Sequence, residues 1–258
     1  MLLARKSVLI TGASGGIGQG IALAAAEEGA DVILSHRSID RLDDSARLLE
    51  EHGYSCSVVA MDVTRESEIR TGMERVIEQY GRLDGLVNNA AVFVPESSLE
   101  VTRENLERHL EVNVIGLFLC CQAAAQRMKD QEKGGRIVNI SSNAAKVGFP
   151  NYVPYSASKA AVNNLTQTLA KEWAALGINI NAVCPGGVDT PMLREVADYI
   201  SEQSGEDREA VLDRLHPPQL GRHVRPIEVG RVVSFLLSDQ ARIIRGQSIS
   251  VDAGETPF

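Results

Sequence analysis

Seven short runs of apolar, largely β-branched residues recur along the 258-residue chain, at 7–11, 31–35, 56–60, 83–88, 136–141, 178–183 and 248–251. Runs that are apolar throughout, rather than alternating, belong to strands covered on both faces. The segments between them carry helical periodicity. Ile69, Met73, Val76, Ile77 and Tyr80 share one helix face, with Thr64 placed to cap that helix and Gly81 to stop it. Leu42, Ala46 and Leu49 make a similar face before Gly53. Regular strand–helix alternation predicts an α/β fold, a doubly wound seven-stranded parallel sheet with helices on both faces. No linker, repeat or low-complexity tract interrupts it, so residues 1–258 read as a single domain. Residues 188–225, rich in charge, Gly and Pro, are the one irregular stretch and read as a lid over a site.

Composition narrows the function classes. Lys and Arg number 26 against 34 Asp and Glu, a formal net charge of −8. Clustered basic residues are what nucleic acids and anionic membranes require, so neither is an expected partner. The longest apolar stretch, residues 114–121, is far short of the roughly 20 residues of a spanning helix. The N-terminus lacks the pattern of a signal peptide. Cys56, Cys120, Cys121 and Cys184 have no metal-ligand spacing, which points to reduced thiols in a cytoplasmic protein without a metal site.

Directly after the first strand comes Thr11-Gly12-Ala13-Ser14-Gly15-Gly16-Ile17-Gly18, opening a helix with Ile17, Ile21, Ala24 and Ala25 inward. Glycines here let the backbone turn sharply and approach a pyrophosphate at the helix N-terminus, whose free N–H groups favour anions. That position makes the sheet Rossmann-type and the expected ligand a dinucleotide. The second strand ends Ser35-His36-Arg37-Ser38, with no carboxylate to bond a ribose 2′-hydroxyl. Arg37 is suited to a 2′-phosphate, the alternative being a solvated loop arginine.

Three polar anomalies mark the chemistry. On the helix at 154–176, Tyr155, Lys159, Val162, Thr166, Leu169 and Trp173 form one stripe. An ammonium on that face must find a partner, and Tyr155 lies one turn away. A cation beside a phenol depresses its pKa toward the working range and makes Tyr155 a general acid/base. The same pair also reads as a core tyrosine with a snorkelling lysine. On the helix at 102–128, Asn113 falls on the stripe of Leu106, Leu110, Leu117, Cys120 and Ala124, so a network should hold it, whether catalytic or structural. Ser142 ends the fifth strand, at the sheet edge where sites in open parallel sheets lie, with Ser141 its rival.

With these residues the chain resembles the short-chain dehydrogenase/reductase family, in its single-domain branch. The resemblance spans essentially the whole chain. It includes Gly12-x-x-x-Gly16-x-Gly18, Asp62, Asn88-Asn89-Ala90, Tyr155-x-x-x-Lys159, Pro185-Gly186 and Val251-Asp252. Ala91 and Ala253 stand where the family commonly has Gly, and Gly15 where NADP-preferring members often carry a second basic residue. The resemblance implies that Tyr155 exchanges a proton with the substrate oxygen and that Ser142 orients that oxygen. It implies that Lys159 holds the nicotinamide ribose, and that Asn113 anchors a water leading to Lys159. For the cofactor it implies Gly12, Ser14, Gly15, Gly16, Ile17 and Gly18 at the pyrophosphate, and His36, Arg37 and Ser38 at the adenosine ribose. Asp62 and Val63 would hold the adenine, and Asn89, Ala90 and Ala91 the adjacent ribose. Pro185, Gly186 and Val188 would touch the nicotinamide, with Thr190 nearby.

The expected activity is hydride transfer between NADP(H), in preference to NAD(H), and a carbonyl/secondary-alcohol pair. The substrate would be a small ketone, a sugar or polyol, or a 3-oxoacyl thioester. Substrate contacts are expected from Ser142, Asn143, Ala144, Tyr152, Gly187 and Met192, with Val92 to Val94, Phe149, Leu193 and Tyr199 as further walls. A non-catalytic dinucleotide sensor would be expected to lose Tyr155 or Lys159, and an enoyl reductase to show a longer Tyr-to-Lys spacing. A reductase specific for carrier-protein thioesters is the other alternative; Arg127, Lys129 and Lys171 would serve it or be solvated helix charges. The apolar circumference of helices 102–128 and 154–176, including Ala123, Ala125, Ala161 and Leu165, predicts a homotetramer or homodimer.

Overall fold

The computed structural model describes residues 1–256. Seven strands pair in parallel in the order β3-β2-β1-β4-β5-β6-β7: β1 Ser7–Thr11, β2 Asp31–His36, β3 Cys56–Ala60, β4 Gly85–Asn88, β5 Gly135–Ile140, β6 Ile178–Pro185 and β7 Ser248–Val251. The order reverses at β1, which lies between β2 and β4, so all the strands end at one edge and a crevice opens there.

Alternation along the strands splits the interior in two. Val8 and Ile10 of β1 face a core with Ile21, Leu34, Val138 and Val233. Leu9 faces the other, with Ile33, Ile69, Val76, Ile137 and Val162. The first core is roofed by α1 (Gly16–Glu27), α2 (Asp43–Glu51) and, later in the chain, residues Pro226–Leu237. The second lies under α3 (Glu66–Tyr80), residues Leu117–Met128 and residues Val153–Glu172. Among the described residues no helix is long and apolar enough to cross a membrane.

Several local expectations are corrected. Thr64 does not cap α3, whose N-cap is Arg65; the Thr64 hydroxyl instead donates to Asp62 Oδ1 at 2.8 Å. The helix expected at 102–128 is three segments: α4 (Arg103–Leu110), a π-helical stretch (Glu111–Gly116) and α5 (Leu117–Met128). Thr102 caps α4 by accepting from the Asn105 N–H. Asn105 and His109, not Leu106 and Leu110, take the buried side before Asn113, because the wider π turns change the register assumed from a 3.6-residue period. Helix α6 (Val153–Glu172) ends in a 3₁₀ turn at Ala174–Leu176. The stretch 188–225 is not irregular throughout. It folds as α7 (Pro191–Ser204), capped by Thr190, and α8 (Arg208–Arg214), capped by Asp207. Helix α9 (Pro226–Leu237) follows.

Helices α1 and α9 touch at their backbones. A Cβ on Gly20 would lie 2.3 Å from the Pro226 carbonyl carbon, and one on Gly230 would lie 2.4 Å from the Gly20 oxygen. Glycine at both positions is the condition for this approach.

Candidate active site

A cavity of ≈540 Å³ opens at the carboxyl edge of the sheet, lined from the tips of β1 to β6 and by α6 and α7. Its first wall is the glycine turn. Gly12 (φ +63°) and Gly16 (φ +52°) occupy the left-handed region, which costs other L-residues energy. A Cβ on Gly12 would meet Ala90 Cα at 2.6 Å, whereas Gly15 faces open space. The Asn89 amide holds this turn, donating to the carbonyls of Thr11 at 3.1 Å and Gly12 at 2.8 Å. The Thr11 hydroxyl accepts from the N–H groups of Asn89 and Ala90. No side chain caps α1, so its first-turn N–H groups stay available to an anion. Ser14, Gly15, Gly16 and Ile17 line the cavity with Asn89, Ala90 and Ala91. Gly18 does not: a Cβ there would meet the Gly12 oxygen at 2.6 Å, so it allows the turn to close rather than touching a ligand. This cradle fits a dinucleotide pyrophosphate.

At the β2 tip, His36 and Arg37 line the cavity, joined by Arg41. Arg41 escaped the sequence reading, although it follows Arg37 by one helical spacing. Ser38 stands outside; its backbone N–H donates to His36 Nδ1 at 3.1 Å. Among the described residues, the cavity lining at this tip carries basic side chains and no carboxylate. Asp62 and Val63 line the adjoining wall. Asp62 is partly buried, which works to raise its pKa, yet bonds from the Thr64 N–H and hydroxyl, with Arg37 and Arg65 nearby, hold it below the usual carboxylate range.

Across the crevice, α6 brings Tyr155 and Lys159 to the end of β5. Lys159 is 2 % exposed and donates to the Ile140 carbonyl at 2.8 Å. Its Nζ lies 5.6 Å from the Tyr155 ring centroid. The two serines divide as follows: Ser141 donates to the Lys159 carbonyl at 3.1 Å and fixes the helix, while Ser142 hydrogen-bonds the Tyr155 side chain. Burial works against the depressed pKa expected of Tyr155. Burial pushes Tyr155 up to about 12, with Ser142 opposing the rise, and pushes Lys159 down to about 8. Desolvation dominates, so Tyr155 stands as a neutral phenol.

Asn113 does not line the cavity. It is 1 % exposed, accepts from the Val92 N–H at 2.8 Å, and donates to the Val92 carbonyl and to Ser158 Oγ, each at 3.0 Å. Two further buried polar residues stitch the same loop. His109 Nε2 accepts from the Val94 N–H at 3.2 Å, and Asn105 donates to Glu96 at 2.6 Å. The i, i+4 spacing of Asn105, His109 and Asn113 was the signal for this ladder.

The remaining wall holds Asn143, Tyr152, Pro185, Gly186, Gly187, Val188, Thr190 and Met192. Ala144 is absent from it, its N–H spent on Ser142 Oγ at 3.1 Å, and Val94 and Tyr199 are not part of it. Phe93 packs edge-on against Tyr152 and Tyr155, with centroids at 4.7 and 4.8 Å. Glu255 was unforeseen and also faces the cavity. Burial pushes its carboxyl up, against a bond from the Gly187 N–H; Asp252 adds to the rise and Asn143 opposes it.

Residues 12–256 match a family model described as enoyl-(acyl carrier protein) reductase. The chain is 37 % identical over 252 residues to a short-chain dehydrogenase/reductase of Armillaria gallica, covering 96 % of this chain and 95 % of the relative. It is 37 % identical over 254 residues to the 3-oxoacyl-[acyl-carrier-protein] reductase FabG of Thermotoga maritima, covering 98 % and 99 %. A crystal structure of an actinorhodin polyketide ketoreductase with NADPH superposes with a TM-score of 0.93 at 35 % identity, covering 98 % of each chain.

Proposed function

The chain belongs to the short-chain dehydrogenase/reductase family, and we propose that it is an NADP(H)-dependent oxidoreductase interconverting a ketone and its secondary alcohol. The observation that carries the reading is the meeting of the Ser142–Tyr155–Lys159 group with an uncapped, glycine-lined helix start in one crevice.

When bound, the nicotinamide supplies the hydride in reduction and accepts it in oxidation. The chain's residues supply the rest. In reduction Tyr155 gives its phenol proton to the substrate oxygen as that oxygen gains negative charge. Ser142 orients the oxygen. Lys159, held by the Ile140 carbonyl, stabilises the phenolate that Tyr155 becomes. Arg37 and Arg41 would take the 2′-phosphate, with Gly15, Gly16 and Ile17 at the pyrophosphate and Asp62 and Val63 at the adenine. Pro185, Gly186, Val188 and Thr190 would border the nicotinamide. Asn113 and Asn89 act through the backbone segments they hold.

The four-residue step from Tyr155 to Lys159 supports a carbonyl rather than an enoyl substrate. The Thermotoga relative's name makes a 3-oxoacyl thioester the second substrate class. Partly exposed apolar residues, Phe118 and Ala123 on α5 and Ala161 and Leu165 on α6, support assembly into a homodimer or homotetramer; Ala125, expected on that surface, is buried in the core instead. The test is oxidation of NADPH and NADH against small ketones, hexuloses, diketones and a 3-oxoacyl thioester. Turnover faster with NADPH is expected. Tight NADPH binding with no turnover of any of them would replace this reading with the sensor.

A further inference from the structure

A turn after β7 places a carboxylate at the substrate end of the crevice. Asp252, 2 % exposed, organises that turn by accepting from the N–H groups of Gly254 and Thr256, at 3.1 and 3.0 Å, and from the Thr256 hydroxyl. Gln219 adds a bond to the Gly254 carbonyl at 3.1 Å. Ala253 is held at φ +52°, a strained setting for a residue with a Cβ. The turn directs Glu255 inward: Oε2 accepts from Asn143 Nδ2 at 3.1 Å and from the Gly187 N–H at 3.4 Å. A Cβ on Gly186 would lie 2.2 Å from that oxygen, so the carboxylate packs directly against the Gly186 backbone.

The carboxylate stands close to the reacting group. Asn143 Oδ1 accepts from Ser142 Oγ at 3.2 Å, so two hydrogen bonds join Glu255 to the serine beside Tyr155. Glu255 Oε1 has no hydrogen bond among the described residues and is not sealed from solvent. The two arginines of the cavity lie at its β2 end, and Lys159 is committed to Ile140. No basic side chain forms an ion pair with Glu255 among the described residues. Aromatic rings of Phe93, Phe149 and Tyr152 complete this end.

We propose that Glu255 is a specificity-determining residue that receives a hydrogen-bond donor, a hydroxyl or an ammonium, carried by the substrate next to its reacting carbonyl, and that it rejects anionic ketones. The inference rests on the hydride-transfer reading of this cavity. A substrate lacking the donor leaves a partly desolvated carboxylate without a partner on one side, and one bearing a carboxylate adds like-charge repulsion. Sites built to bond a polar group discriminate strongly against analogues that lack it.

Four methyl ketones of similar size test this: butanone, hydroxyacetone, aminoacetone and pyruvate. Each is assayed with NADPH for kcat/KM, and each is tested for a shift in the melting temperature of the NADPH complex. The expected order places hydroxyacetone and aminoacetone about tenfold or more above butanone, with pyruvate lowest. Glu255→Leu collapses the donor-to-butanone ratio to about one. Glu255→Gln keeps part of the hydroxyacetone preference and loses that for aminoacetone, which separates the two donor types. NADPH affinity of both variants, read by fluorescence, reports whether the nicotinamide wall has kept its shape. Ketone turnover without a donor preference in the unaltered protein, or a preference that survives Glu255→Leu, overturns the inference and leaves the activity standing. Glu255-dependent melting shifts without turnover overturn the activity and leave the inference standing. Neither turnover nor shift overturns both.

Discussion

Removing the Asn113 side chain separates two roles that a buried amide near a catalytic group can play. Asn113→Ala takes away the acceptor of the Val92 N–H, a donor to the Val92 carbonyl and a donor to Ser158 Oγ. Each stranded polar group costs about 1–3 kcal/mol when water cannot replace its partner. Val92 is only half-buried, and Ser158 keeps its 2.7 Å bond to the Tyr155 carbonyl, so repair lowers the total to about 2–4 kcal/mol. For a chain of this size that is a fall in Tm of roughly 5–15 °C. Urea unfolding at fixed protein concentration measures the loss, and hydrogen exchange at the Val92 amide locates it, with protection falling at least about tenfold for an opening 1.4 kcal/mol easier. The loop carrying Val92 and Phe93 lines the cavity, so KM for the ketone should rise as well. A variant that loses activity but less than about 1 kcal/mol of stability, with Val92 protection intact, refutes the clamp and returns Asn113 to a role confined to catalysis.

Four other outcomes are expected. Tyr155→Phe leaves NADPH binding nearly intact and reduces turnover below about a tenth, a barrier increase above 1.4 kcal/mol; more activity than that removes Tyr155 as the acid. Arg37→Ser lowers the NADPH-to-NADH ratio of kcat/KM at least about tenfold through loss of a charge-assisted contact, and an unchanged ratio makes Arg37 a surface charge. Gly230→Ala destabilises by about 1–3 kcal/mol despite alanine's better helix propensity, because its Cβ falls 2.4 Å from the Gly20 oxygen; a gain in urea midpoint would show that α9 has room to move. His109 provides a pH signature. Burial, with Arg108 and Lys159 nearby, outweighs the Asn105 carbonyl and keeps its pKa below 6.5. The unfolded chain therefore takes up a proton first as pH falls, so stability should decline below about 6.5 and hold level above it. His109→Gln should lose that slope.

The sheet was legible because fully apolar strands leave little choice of environment, and the glycine turn because its place between β1 and α1 fixes its meaning. Tyr155, Lys159 and Ser142 could be found as polar residues on surfaces that ought to be apolar. The rest was hidden for identifiable reasons. A 3.6-residue template misses a π segment, so Leu106 and Leu110 seemed to face inward while Asn105 and His109 do. Helices α7 and α8 bury only Val196, Ala197 and Val211, too few for a period to stand out, although Thr190 and Asp207 were readable caps. The pKa of Tyr155 depends on how much water the fold excludes, which no spacing reports. Glu255 belongs to no helix or strand, and nothing in its neighbours' pattern tells that Asp252 folds the turn inward.

The backbone meeting of Gly20 with Pro226 and Gly230 has a consequence for how the protein comes into being. Helix α1, which begins at the glycine turn, and α9, which closes over it, stand about 200 residues apart, so α1 is made long before its cover. Until α9 emerges, Ala24, Ala25 and their neighbours have lost their cover, and β1 itself waits about 75 residues for β4. Such distant pairings carry a loop-closure cost before they return any burial. A chain that has made α1 but not α9 thus holds the glycine turn unfinished, a window in which a chaperone has apolar surface to hold and a protease has backbone to cut.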